Sequence, residues 1–240
     1  MHMCKKIYVD IYINVNWKVN IMITVNNSDK LLDIMRFKKG SFYIFFALIR
    51  AKDYKDGNEP VLKIKEKQEV LVKTWLIESE EALNSLLHDM IKTVDLFKCR
   101  LYMNVDRKSF VKSLMQLRNS VDKYLDNYIF NNETEYSAKA YNKLLTSAAS
   151  VSESSDRDER RWLFDVDSKA DINILNDLDK LLKDKLLAKL ETKNGYHYIT
   201  KKDFDAHRVL NDLRYMYQRN NIEFPVEIKD NALTLVAMGE

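Results

Sequence analysis

Residues 7–25 alternate between apolar and polar side chains. Every odd position in this stretch is Ile, Val or Trp, and most even positions are Tyr, Asp, Asn, Lys or Thr. Such alternation is typical of a β-strand with one buried face, but the stretch is longer than a usual strand. The pattern therefore predicts a β-hairpin that turns near residues 14–16.

Strand-like and helical patterns then follow one another as far as residue 145. The helix predicted at 108–128 is basic and amphipathic, because apolar residues recur at helical spacing among lysines and arginines. Its apolar stripe comprises Val111, Leu114, Leu117, Val121 and Leu125. The other predicted elements are a short helix after residue 28, strands 41–50 and 61–77 around a turn at 52–60, a helix at 79–97, a strand at 100–105 and a weak helix at 136–145.

A polar segment at 147–161 separates these elements from the rest of the chain. It is rich in Ser, Asp, Glu and Arg, a composition typical of a mobile connector. We therefore predict three parts: an N-terminal α+β module at 1–146, a linker at 147–161 and a second module at 162–240.

The second module is predicted to be a small α+β sheet with its helices on one face. Its predicted elements are strand 162–167, helix 172–190, strand 196–200, a helix after residue 203, and strands 224–229 and 233–238. The order β-α-β-α-β-β is close to a ferredoxin-like fold or an RRM-like (RNA-recognition-type) palm.

The composition is that of an ordinary globular protein, and it excludes several kinds of site. Of 240 residues, 46% are hydrophobic and 31% are charged. The chain has only four glycines, and it contains neither a Walker A loop nor a G-x-G-x-x-G loop. Its two cysteines, Cys4 and Cys99, indicate no disulfide framework. We find no apolar signal region and no membrane-spanning run, so we expect a soluble, cytoplasmic protein with no membrane partner.

The net charge of +3 conceals two basic segments. Residues 36–73 hold ten Lys and Arg against five acids, and residues 98–123 hold seven against two. Clustered positive charge is typical of surfaces that bind polyanions such as nucleic acid. The alternative for each segment taken alone is a solvated face on a lysine-rich protein.

Two carboxylates lie two residues apart at the end of the strand 162–167. Side chains alternate along a strand, so Asp165 and Asp167 are predicted to point to the same face, with Val166 on the other. Like charges this close raise each other's pKa unless a cation lies between them, and carboxylate oxygens suit Mg²⁺ or Mn²⁺. On spacing alone, a strand end whose acids face water explains the pattern equally well.

Two further polar residues lie on later strands of the same module. His197 follows the turn at 192–195, and Glu227 lies between two aliphatic residues. Each alone is a weak signal, because a strand His is more often a hydrogen-bonded core residue and a strand Glu more often an edge residue. Together with the two aspartates, in this order within one small module, they form a more specific pattern.

This pattern resembles the archaeo-eukaryotic primase superfamily of primase-polymerases. That family is marked by an h-h-h-D-h-D strand (h, hydrophobic), a short turn followed by His, and a third acid after an apolar residue. The matching segments here are Trp162-Leu163-Phe164-Asp165-Val166-Asp167, Asn194-Gly195-Tyr196-His197 and Val226-Glu227. From about Met22 onwards the chain is also similar to small bacteriophage proteins of unassigned function. Residues 1–21 are therefore expected to be an extension, with Met22 as an alternative start.

The resemblance implies metal-dependent nucleotidyl transfer on nucleic acid (DNA or RNA), by an enzyme of phage or viral origin that acts in DNA replication in the host cytoplasm. Asp165, Asp167 and Glu227 would be catalytic acids that hold Mg²⁺ or Mn²⁺. His197 would be catalytic and contact the incoming nucleoside triphosphate.

Other residues near these motifs modify the expectation. Lys193, Lys201 and Lys202 lie close enough in sequence to assist with phosphate binding. The chain departs from the family at Gly195, where Ser is usual, and at Glu227, where Asp is commoner.

Asp230 is the alternative third metal ligand. It lies three residues after Glu227, so on an extended strand the two side chains face opposite ways and cannot both join the site. Asp230 precedes Asn231, a pair typical of a turn. We therefore favour Glu227.

Two other functions would use the same region. The first is a non-catalytic RRM-like module that stacks bases on Tyr196 and Tyr198, which alternate with His197 along their strand. Tyrosines on the face of Asp165 would favour binding, whereas His197 on that face would favour catalysis. The second is a metal-dependent nuclease, which needs the same ions and which the sequence does not separate from a transferase.

Overall fold

The computed structural model describes residues 7–8, 22–50, 53, 69–130, 138–167 and 172–239. Within these residues the protein is α+β, as predicted, with two antiparallel sheets and six α-helices. The strands are β1 (Ile7–Tyr8), β2 (Met22–Asn26), β3 (Ser41–Arg50), β4 (Glu69–Ile77), β5 (Arg100–Asn104), β6 (Lys108–Ser109), β7 (Arg161–Val166), β8 (Leu186–Glu191), β9 (Tyr196–Lys201), β10 (Val226–Lys229) and β11 (Leu233–Gly239). The helices are α1 (Ser28–Ile34), α2 (Glu80–Phe97), α3 (Phe110–Phe130), α4 (Ala138–Ser150), α5 (Ile172–Leu182) and α6 (Ala206–Arg219).

The first sheet has the strand order β1-β2-β11-β5-β3-β4, with the short β6 paired to β3. β3 is buried on both faces, which explains its nearly continuous apolar sequence. Tyr43 and Phe45 join the main core with α1 and α2, whereas Phe42 and Ile44 pack towards α3 and α4 on the other face. The first sheet is therefore covered by helices on both sides.

β1 and β2 pair as the arms of the predicted hairpin. Ile7 pairs with Ile23 and Tyr8 with Met22 in antiparallel register, which is symmetric about residue 15. The turn expected near 14–16 lies outside the described residues. So does most of the predicted turn at 52–60, together with the first part of the strand predicted at 61–77.

The second sheet has the strand order β10-β7-β9-β8. α5 and α6 cover one of its faces, where Phe164, Val166 and Tyr198 are buried. The other face carries Leu163 and Ile199, which join the core of the first sheet. The face opposite the helices is therefore turned towards the first half of the chain.

Two elements predicted for the second half of the chain are wrong. The helix predicted at 172–190 ends at Leu182, and Leu186–Glu191 forms β8 instead, because its apolar residues also recur at every second position. The last strand, Leu233–Gly239, lies in the first sheet between β2 and β5. The second sheet is thus built in the order β-α-β-β-α-β rather than β-α-β-α-β-β.

The segment predicted to be a linker is packed against the first half of the chain. Ser154 and Ser155 are fully buried, and the Ser155 hydroxyl accepts a hydrogen bond of 2.9 Å from Lys108. The division into modules at 1–146 and 162–240 stays a prediction. No helix in the described part of the chain is long and apolar enough to cross a membrane.

Candidate functional site

Three of the predicted site residues form a row across three neighbouring strands. Asp165 on β7 pairs directly with His197 on β9 and with Glu227 on β10. Residues directly opposite each other in an antiparallel pair point to the same face of the sheet. The row therefore lies on the face away from α5 and α6.

The ring of His197 is held on both sides. Its Nε2 lies 3.4 Å from Oδ1 of Asp165, and its Nδ1 lies 3.0 Å from the hydroxyl oxygen of Thr234 on β11. Because an ionised carboxylate only accepts hydrogen bonds, Asp165 favours the tautomer that carries a proton on Nε2. In the neutral ring, Nδ1 then accepts from the Thr234 hydroxyl, so residues from both sheets fix the orientation of the imidazole.

Lys229 places a positive charge beside Asp165. It lies on the same strand face as Glu227, and its ammonium donates a hydrogen bond to Oδ2 of Asp165. Burial on its own raises the pKa of Asp165, but the contacts with His197 and Lys229 outweigh burial and lower that pKa to about 2. Asp165 is therefore an anion at neutral pH.

Asp167 lies just beyond the end of β7. Its backbone N–H donates to the carbonyl of Pro225 at 3.1 Å, so the chain continues to pair beside β10. Its side chain is exposed, as is that of Glu227. Both carboxylates are therefore accessible from solvent near Asp165.

Gly195 lets the turn before His197 lie directly against the end of β7. A Cβ atom at this position would be 2.0 Å from the carbonyl oxygen of Val166 and 3.2 Å from the carbonyl carbon of Asp167. The turn is closed by a 2.9 Å hydrogen bond from the N–H of Thr192 to the carbonyl of Gly195. The two backbones therefore approach too closely for any side chain at position 195.

The start of β7 is anchored to the first half of the chain by buried hydrogen bonds. The N–H of Arg161 donates to a carboxylate oxygen of Asp106 at 2.9 Å. The Arg161 guanidinium donates to the carbonyls of Val105 at 3.1 Å and Ile34 at 2.6 Å. These bonds fix the strand that carries Asp165 relative to the first sheet.

Asp230 and Lys202 lie together, away from the row. Their charged groups are 2.7 Å apart, and the Lys202 ammonium is 3.7 Å from the centre of the Trp162 ring. Trp162 packs on the side covered by α5 and α6. Asp230 therefore pairs with Lys202 beyond the end of β10, whereas Glu227 lies opposite Asp165 within the sheet.

The other two predicted phosphate-binding lysines lie on β9 and its preceding turn. Lys201 is exposed, and alternation along β9 puts it on the same face as His197. The ammonium of Lys193 is 3.4 Å from Asp53 and its side chain is 41% exposed. Both lysines are therefore accessible to a phosphate-bearing ligand.

Tyr196 and Tyr198 lie on the face covered by the helices. Tyr198 pairs with Phe164 and is fully buried, and Tyr196 packs against the same cluster. Neither tyrosine is available for base stacking on the face that carries His197.

Part of the basic segment 98–123 lies inside the protein. Arg100, Arg107 and Lys108 are buried, and the two arginines form ion pairs with Asp53 and Asp156 respectively. Burial lowers the pKa of Lys108 to about 8. These three cations do not reach a phosphate on the surface, so the charge that this segment offers to nucleic acid is smaller than its sequence suggests.

The carboxylates around Asp165 have the chemistry of ligands for a hard divalent cation. Among the described residues, however, no group of three or more His, Cys, Asp or Glu side chains is arranged to hold a metal ion. Asp167 and Glu227 are turned to solvent, and the Lys229 ammonium lies against Asp165. The carboxylate oxygens are of the type that Mg²⁺ and Mn²⁺ bind. For these carboxylates to surround one ion, the side chains of Asp167 and Glu227 must rotate and the Lys229 ammonium must move away from Asp165.

Two residues of this site were not predicted from the sequence. Lys229 lies two residues after Glu227, so strand alternation was a usable signal for it. Thr234 had no local signal, because its strand belongs to the other sheet. Comparison with known proteins gave no match for this chain among protein-family models, curated proteins or solved structures.

Proposed function

We propose that this chain catalyses metal-dependent nucleotidyl transfer on nucleic acid with a primase-polymerase-like palm. The observation that carries the proposal is the row of Glu227, Asp165 and His197 on a sheet face without helices. The order β-α-β-β-α-β, with both helices on the other face, supports a ferredoxin-like or RRM-like fold for this part of the chain.

The three acids would hold the metal ions. Asp165 is the central ligand, because it is ionised and lies between the strand of Glu227 and the strand of His197. Asp167 and Glu227 are exposed and complete the oxygen donor set. Bound Mg²⁺ or Mn²⁺ supplies activation of the attacking 3′-hydroxyl and neutralises charge on the phosphoryl oxygens.

The cationic and donor groups around the acids would orient the nucleoside triphosphate. The Thr234 contact holds the His197 ring so that its Nε2 faces the acids, where an Nε2–H donates to an anionic oxygen. Lys201 on the same face offers an ammonium to a phosphate group. Lys229, once separated from Asp165, offers another.

The position of the two tyrosines, on the sheet face opposite Asp165, favours catalysis over base stacking. Asp165 shares its face with His197, whereas Tyr196 and Tyr198 pack beneath α5 and α6. A metal-dependent nuclease remains the second candidate, because the same acids and ions would activate water in place of a sugar hydroxyl.

The test is to incubate the full chain with primed and unprimed single-stranded DNA, labelled nucleoside triphosphates and Mg²⁺ or Mn²⁺. We expect longer labelled products, lost in Asp165→Asn and Glu227→Gln and retained in Asp230→Asn, which serves as the matched control. Shortened DNA instead of longer products would assign the site to a nuclease. Unchanged DNA and nucleotides, despite nucleic-acid binding, would overturn both catalytic functions.

A further inference from the structure

α3 turns its apolar stripe towards solvent. Val111, Leu114 and Leu125 are 67%, 58% and 46% exposed, and the nearby Val121, Met115 and Ile129 are exposed as well. The helix packs on the described part of the protein through a different side, which includes the buried Ser113 and the half-buried Gln116 and Ser120. Exposed apolar residues that cluster on one side of a helix, rather than lying singly, indicate an interaction surface.

The stripe has the spacing of a coiled-coil seam. The positions 111, 114, 118, 121 and 125 form this seam, because the steps between them alternate between three and four residues. Leu117 of the predicted stripe is half-buried and lies outside the seam. Arg118 is the charged residue on the seam. A heptad seam on a helix is complementary to another helix with the same spacing, which points to a helical partner.

The seam is complementary to itself when two copies of α3 run antiparallel. A two-fold axis between residues 119 and 120 places Leu114 opposite Leu125 of the second copy and Arg118 opposite Val121. Four of the five seam positions then meet a seam position of the other copy, as in knobs-into-holes packing.

Charge selects the antiparallel arrangement. Arg118 and Asp122 are 85% and 63% exposed and only 4.0 Å apart within one chain. In the antiparallel pair, Arg118 of each copy lies next to Asp122 of the other, whereas a parallel pair would place the two Arg118 side chains opposite each other. Like charges at a seam position disfavour the parallel pair.

We propose that two copies of this chain form a homodimer through α3, with the two helices antiparallel and the seam from residue 111 to residue 125 at the interface between them. The dimer removes the exposed apolar stripe from water, and it leaves the face that carries Asp165 on the second sheet of each copy outside the interface.

The oligomeric state of the full chain tests this proposal by sedimentation equilibrium over a range of concentrations. We expect a dimer whose dissociation constant rises by about tenfold or more in Leu114→Lys, because the change places a charge in the seam. The matched control is Asn119→Lys, which adds the same charge at an exposed position of α3 outside the seam, and it should leave the dissociation constant unchanged. Circular dichroism of both variants checks that α3 remains helical.

Cross-linking tests the orientation. In a Cys4→Ser background, Leu114→Cys and Leu125→Cys are prepared separately and then mixed under oxidising conditions. We expect disulfides between the two variants and few within either one. A wild-type monomer, a dimer that Leu114→Lys does not weaken, or disulfides that form mainly within each variant would each overturn the proposal. A monomer that instead binds anionic phospholipid vesicles through the stripe would assign α3 to a membrane surface.

Discussion

Replacement of Asp165 by Asn should remove a part of the stability that depends on pH. Asp165 lies between His197 and the Lys229 ammonium, and these contacts are strongest when it is ionised. Its side chain is only 18% exposed, so solvent screens them little. Asn has nearly the same shape but cannot ionise, so the variant isolates the effect of the charge.

The size and sign of the effect follow from the pKa of Asp165. It falls from 3.8 to about 2 on folding, and each unit corresponds to ~1.4 kcal/mol, so the charge contributes ~2–3 kcal/mol to the free energy of unfolding. Because the pKa is lower in the folded state, this contribution is present above pH ~4 and is lost as the pH falls towards ~2.

Urea unfolding of the full chain at a series of pH values measures this contribution. The difference in unfolding free energy between wild type and Asp165→Asn should be constant near neutral pH and shrink by ~2 kcal/mol between pH ~5 and pH ~2. Asp158→Asn is the control, because its pair with Lys38 lies in solvent, with side chains 73% and 58% exposed, and contributes little. Parallel pH profiles for wild type and Asp165→Asn would refute the reasoning.

Two further substitutions test how the site is held. Gly195→Ala forces a Cβ against the backbone of β7, so it should lower the unfolding free energy by ~1–3 kcal/mol and weaken Mn²⁺ binding. The control is Gly40→Ala, at φ +79° with open space around it, which should affect stability alone. Equal Mn²⁺ binding in both variants would contradict this prediction. Thr234→Val removes the hydroxyl that contacts Nδ1 of His197, so it should lower the unfolding free energy by ~1–3 kcal/mol and change the tautomer of His197 seen by NMR. The control is Thr24→Val, at an exposed position. An unchanged tautomer in Thr234→Val would show that Thr234 does not orient the ring.

The local sequence pattern was sufficient to predict that Asp165, His197 and Glu227 lie on one face of the sheet. Because side chains alternate along a strand, Asp165 points to one face of its strand, and His197 points to the opposite face from Tyr196 and Tyr198. The same rule separates Glu227 from Asp230. These relations depend on residues near one another in sequence, so they were predictable once the strands were recognised.

Features that depend on contacts between distant segments were not predictable. The leucines of 186–190 fit both a helical and a strand period, and the short turn after Leu182 decides between them. β11 carries Thr234 to His197 only because it pairs with β2 and β5. The stripe of α3 was visible in the sequence, but periodicity does not tell whether an apolar face meets a core or solvent.

Calorimetric titration of the full chain with Mn²⁺ tests the central claim most directly. We expect wild type to bind Mn²⁺ and Glu227→Gln to lose binding, because one charged ligand of the row is removed. Asp230→Asn should bind as wild type does, because Asp230 lies beyond the end of β10 and pairs with Lys202. Unchanged binding in Glu227→Gln with loss in Asp230→Asn would reverse the assignment of the third ligand. No Mn²⁺ binding by the wild-type chain would contradict the claim that this row of acids is a metal site.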